Sequence, residues 1–451
     1  MNSTSPRQDS VTTMLAREMA ETPSTAVPRS AINAIERLAI DHTGIAYMGA
    51  AFTGKGLHAY ALDLGGRPDA ILIGHGARVP AELAAGLNAQ FCHVTDFHET
   101  GPGLHVGPLC WHVAFAIGQR VHASGRDVLA AAALGYVLCG RFHFARTADS
   151  SVPQQCIVAA AIASRLLGHD TATTARSISL AAELPYRPLV YFLAAKVPKR
   201  ITPFGSTGFC TRAGVQAALW AEHGVESVPD EVDQWMAGYD RAILLQQPTP
   251  YHWVDGQMEL KPWVCSRHSQ AGIQSVVDLV REHAIDPRSV TAVKLRLSGM
   301  YVIPHQFEPS PDTYMQATLS TQWAVAMVLQ RIPPGPRWVN AERLADPFSR
   351  ELARRVAIEE DPAWTRAYKE LRWFEIGGAA EIVAGGKTFR RGYTIAETYG
   401  SPGVDMTDAM VEEKFLECTS LSMSAERARK LLAGTRRIAE FADINELVAL
   451  M

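Results

Sequence analysis

The feature that most limits what this chain can fold into is a change of texture near Trp263. From about Val27 to Val225 the sequence is rich in alanine and leucine. Runs such as Ala130 to Tyr136 and Cys156 to Leu167 read as helices buried on most sides, not as surface helices with one apolar stripe. Several stop at a glycine, as at Leu167-Gly168 and His223-Gly224, where a left-handed residue closes a helix. Beyond Trp263, Val293, Leu295 and Leu297 alternate with Lys294 and Arg296, the period of a strand with one wet face. Ala380 to Ala384 and Lys387 to Thr394 flank Gly385-Gly386, a dipeptide suited to a two-residue hairpin turn. Helical segments around Ser320 to Leu329 and Pro347 to Arg355 lie between these strands. After Gly403 the pattern is helical again, with Thr407 placed as a cap, Asp408 in the first turn, and a charged helix from Ser424 to Leu432.

At 451 residues the chain exceeds what a single core supports. The expected fold is therefore mainly α with an inserted α+β domain. A large helical domain is built from 1–263 and 405–451, and a smaller α+β lid spans 264–404. A formal net charge of −3 gives no basic field for nucleic acid or an anionic membrane, and neither partner is expected. Seven widely spaced cysteines without a CxxC suggest neither a disulfide framework nor a zinc knuckle, and with no apolar leader the expected compartment is the cytoplasm.

Titratable side chains are densest in His93-Val-Thr-Asp96-Phe-His98-Glu99, followed by His105 and His112. His93 and Asp96, three apart, would share a helix face, and the Gly/Pro-rich tract could return His105 toward Asp96 as an acid/base unit. The alternative is a simple polar network. The ligand types suit zinc or iron, but the spacing matches no metal-binding pattern, and no metal is expected. A second segment, Lys261-Pro-Trp-Val-Cys265-Ser266-Arg267-His268, lies at the change of texture. There Lys261 and Arg267 could hold carboxylates, His268 could serve as an acid and Ser266 could donate hydrogen bonds, unless the segment is a solvated basic loop. Cys265 has the only plausible activating neighbours for a nucleophilic thiol. A third segment, Lys196 to Gly208 with Lys199, leads into a helix carrying Arg212 and offers either an anion site or a surface loop. Trp323 falls on a buried helix, as core or as part of a pocket. No GxSxG, P-loop or well-placed GxGxxG is present, which argues against hydrolase, nucleotide and dinucleotide chemistry.

Taken in order, Asn88 to Phe97, His105-Val-Gly-Pro, Gly135-Tyr136 with Arg141, Arg212-Ala-Gly214, Lys261 to His268, Tyr399 to Gly403 and Met406 to Phe415 resemble the MmgE/PrpD family over nearly the whole chain. The resemblance implies a helical domain with an α+β lid, a homodimer, and a cofactor-independent lyase. Such an enzyme moves a proton beside a carboxylate or carbonyl to dehydrate or decarboxylate a small acid of the 2-methylcitrate or cis-aconitate kind. Isomerisation, epimerisation and an inactive carboxylate-binding protein are the alternatives. Asp96 and His105 fall on active-site positions of the family, and His268, His98, Lys199, Arg212, Lys261, Ser266, Arg267 and Trp323 complete the expected site. The chain departs from the family at His98-Glu99, where an acidic pair is usual, and at Val106 and Gly107. Asp149 and Ser206 stand in place of histidines and Pro203 in place of a lysine, which implies altered specificity.

Overall fold

The computed structural model describes residues 10–101, 107–145, 154–184, 206–234, 239–299, 307–370 and 372–451, apart from the side chain of Ser206. The sequence expectations for His105, Lys199, Asp149 and Pro203 lie outside these residues.

The helical region contains α1 (Val11–Glu21), α2 (Arg29–Leu64), α3 (Ala81–His93), α4 (Gly107–Val121), α5 (Gly125–Phe144), α6 (Gln154–Leu166), α7 (Thr171–Glu183) and α8 (Ser206–Glu222). Residues 38–50 of α2 are buried without a break, and α4, α5 and α6 are buried over most of their length. Alanine-rich surfaces let these helices approach closely, α3 against α4 and α8, and α6 against α5, α7 and α8. Among the described helices, α5 alone is long and apolar enough to cross a membrane, and most of it is enclosed by its neighbours. The expected helix stops at Gly168 and Gly224 are present, with φ of 74° and 77°.

The α+β region follows with α9 (Gln270–Glu282), β3 (Val290–Leu297), α10 (Thr321–Leu329), α11 (Pro347–Arg354), β4 (Val356–Glu360), α12 (Pro362–Lys369), β5 (Gly377–Ala384) and β6 (Lys387–Thr394), after a short pair β1 (Ala70–Ile71) and β2 (Arg78–Val79) in the helical region. The sheet order is β4-β3-β5-β6, with β3 parallel to β4 and antiparallel to β5. A register shift between Val290 and Ala292 resets the alternation of β3, so Val290, Val293, Leu295 and Leu297 all face inward. The inner face packs on α9. Strands β5 and β6 meet through Gly385-Gly386, at φ 54° and 75°, as the dipeptide suggests.

Toward the end of the chain come α13 (Asp408–Thr419) and α14 (Ala425–Thr435), capped by Thr407 and Ser424. Helix α13 packs on α2, back in the helical region. The protein is thus mainly helical with a small α+β region, as its texture suggests.

Candidate active site

The site is built where the segment after α3 meets the segment before α9. Helix α3 ends at His93, so Asp96 is not on its face as the spacing suggests; it sits one turn beyond, at φ 47°. A left-handed aspartate is a mildly strained conformation that surrounding contacts must enforce. Lys261 supplies them, its Nζ donating to Asp96 O at 2.6 Å and to Asp96 Oδ1 at 2.8 Å. Four residues on, Thr100 and Glu259 exchange backbone hydrogen bonds of 2.9 and 2.6 Å, an antiparallel bridge that fixes the two segments side by side. Lys261 is completely buried and the Asp96 side chain, 8% exposed, is the more accessible member of the pair.

A second buried pair stands beside it. Glu259 accepts from Arg267 Nε and from Trp373 Nε1, and Arg267 also donates to Ser401 and, at 3.1 Å, to Thr398 Oγ1. Burial pushes the Glu259 carboxyl up, and Arg267, Trp373 and Lys261 draw it back down. Lys261 and Arg267, expected to hold substrate carboxylates, are both buried and bound to carboxylates of the chain itself. Trp323 is likewise a core side chain, wholly buried with Nε1 donating to Trp338 O at 2.7 Å. Arg212, half-buried on α8, lies beside Gly86 of α3. His98 is buried against His93 with ring centroids 4.7 Å apart. Ser266 begins the short helical turn that carries Arg267 and His268, and the half-buried His268 ring stands edge-on to Trp373 at 4.9 Å. Cys265 is buried and accepts a contact from Gln270 Nε2 at 3.1 Å; burial pushes its thiol up, which removes it as a nucleophile.

Sequence reading missed a network behind Asp96. Glu99 bonds to His42 of α2 and accepts from Tyr136 of α5 at 2.9 Å. Gly107 opens α4 against this carboxylate: an added Cβ would lie 1.8 Å from Glu99 Oε1, and the helix N-terminus favours the negative charge. The signal for His42 was a polar triplet, Asp41-His42-Thr43, inside an otherwise apolar helical run. Asp41, His42 and Glu99 offer ligand atoms within 4.8 Å of one another, a donor set that suits zinc or iron. Asp41 faces the Lys414 ammonium at 2.6 Å, and Glu99 is shared by His42 and Tyr136. A dication there would meet the Lys414 ammonium at close range, which disfavours a metal at this trio.

His112, fully buried, stacks on His42 at 6.4 Å, and among the described residues neither ring nitrogen has a partner. Burial, with His42 adding to it, drives its pKa well below the ordinary imidazole value. The folded chain therefore keeps His112 neutral while the unfolded chain protonates it below about pH 6.5. Its contribution to stability is unchanged above that pH and becomes a growing penalty below it, up to about 1.4 kcal/mol per unit. His112→Phe should reduce the loss of stability between pH 7 and 5 by roughly 1–2 kcal/mol in urea titrations; an unchanged loss would show that the ring protonates in place.

Residues 13–251 match the MmgE/PrpD N-terminal domain and residues 263–438 the MmgE/PrpD C-terminal domain. The chain belongs to the MmgE/PrpD family. Members of the MmgE/PrpD family are largely enzymes, dehydratases and related proteins among them. A search of curated proteins finds no match. The boundary between the two MmgE/PrpD domains, 251 to 263, leads directly into the junction that holds Lys261 and Arg267.

Proposed function

We propose that the junction binds a small carboxylic acid and moves a proton at a carbon next to its carboxylate or carbonyl, ending in loss of water or carbon dioxide, with no cofactor. The observation that carries this reading is the Asp96–Lys261 pair, a left-handed aspartate that keeps a small exposure while its ammonium partner is fully buried. Strain of this kind gathers at functional sites, where the surroundings over-determine one conformation. Membership of a family rich in dehydratases supports the reaction class.

In this reading Asp96 accepts the proton, and the Lys261 ammonium beside it offsets negative charge growing on an enolate-like species. His268 and His105 are the proton donors the resemblance offers, Ser266 and His98 the hydrogen-bonding residues, and Lys199 and Arg212 the cations for substrate carboxylates. The last assignment gains weight because Lys261, Arg267 and Lys414 are each paired with a carboxylate of the chain.

The test is incubation of the purified protein with 2-methylcitrate, citrate, cis-aconitate and related acids in deuterated water, read by NMR. Loss of water or carbon dioxide from one of them is expected. Deuterium gained without such loss would make the protein an isomerase. Ligand-induced thermal stabilisation without exchange or product would make it a binding protein.

A further inference from the structure

The Asp96–Lys261 pair is held from behind by a residue contributed by α13. Lys414 of α13 is buried, and its Nζ lies 2.9 Å from Phe97 O, 2.9 Å from Lys261 O and 2.6 Å from Asp41 Oδ1, with the Phe97 ring centroid 3.9 Å away. An ammonium has three N–H donors, and three oxygens from three separate segments surround this one. Two of them matter for the site. Phe97 O is the carbonyl next after the strained Asp96, and Lys261 O belongs to the ion-pair partner itself. Asp96 is therefore fixed on its own carbonyl by Lys261 and on the following carbonyl by Lys414, which leaves the left-handed turn no freedom to relax.

We infer that Lys414 is a positioning residue for the proposed proton transfer, acting through the backbone of Phe97 and Lys261 to hold the Asp96 carboxylate in place. Its own charge is met by Asp41 on α2, whose carboxyl burial pushes up and Lys414 draws back down. The inference rests on the proposed reaction only for its catalytic consequence.

Lys414→Met alone would strand Asp41 as a buried, unpaired carboxylate and could fail to fold. The informative variant is Asp41→Asn/Lys414→Met, which removes both charges together and still lacks the two carbonyl bonds. Hydrogen exchange by mass spectrometry should show the amides of 94–101 exchanging about tenfold faster or more, with the β5–β6 hairpin unchanged. Lys414→Arg, which keeps a buried donor, should restore much of the protection. For whichever of the acids above the wild-type protein turns over, kcat should fall by about 100-fold with KM changed little, as expected when a reacting group is displaced rather than lost. Unchanged exchange in 94–101, or faster exchange spread evenly over the chain, would overturn the positioning role. If the wild-type protein acts on none of the acids, the proposed reaction fails while the exchange result still decides the role of Lys414.

Discussion

Lys261→Met should cost about 3–5 kcal/mol of stability, the usual penalty for leaving a buried charge without its partner. The ammonium is completely buried and bonds twice to Asp96, so the variant leaves Asp96 with an unmet carbonyl and a carboxylate that has lost its counter-charge. The loss should be largely conditional on that charge. Asp96→Asn/Lys261→Met, which neutralises both partners, should recover more than half of it, because hydrophobic replacement of a whole buried pair is often close to neutral. Equilibrium urea denaturation of the two variants decides the point. A single variant as stable as wild type would mean that the pair contributes nothing to holding the junction together.

Gly400→Ala should be nearly as damaging, although the residue carries no chemistry. Gly400 has φ 86°, and a Cβ there would lie 1.8 Å from Leu260 O, the backbone immediately before Lys261. Backbone cannot step aside as a flexible side chain can. The next residue, Ser401, accepts from Arg267. The variant must therefore part the Tyr399–Gly403 turn from the junction, at a cost of about 3 kcal/mol or more from overpacking and a disfavoured φ combined. Loss of stability with faster hydrogen exchange in 259–268 is the expected result. An alanine variant of wild-type stability would show that the turn and the junction are not in contact.

Much of the fold was legible because its signals are local. Thr407 and Ser424 cap the helices they precede, Gly385-Gly386 turns the hairpin, and the alternation of Val293, Leu295 and Leu297 marks β3. The site was legible only as a set of segments. Asp96 and Lys261 were each singled out, but nothing in their spacing shows that they bond to one another across 165 positions. Arg267 looked available to a substrate because Glu259, eight residues earlier, carries no sign that it turns back to meet it. His42 stands in an apolar helical run, which shows that a partner exists but not that it is Glu99, while Lys414 stands in the charged run Asp408–Thr419, where its burial follows from packing alone.

If Asp96 moves a proton on a bound carboxylic acid, its neutral isostere must slow exchange at that carbon. The most direct measurement is the rate of deuterium incorporation from solvent into the acid that the wild-type protein turns over, compared between wild type and Asp96→Asn, with thermal stabilisation by the same acid measured alongside. The predicted result is a fall in exchange of about 10²- to 10⁴-fold, the range for loss of a general base, with stabilisation by the acid retained. Exchange by Asp96→Asn at the wild-type rate would contradict the account.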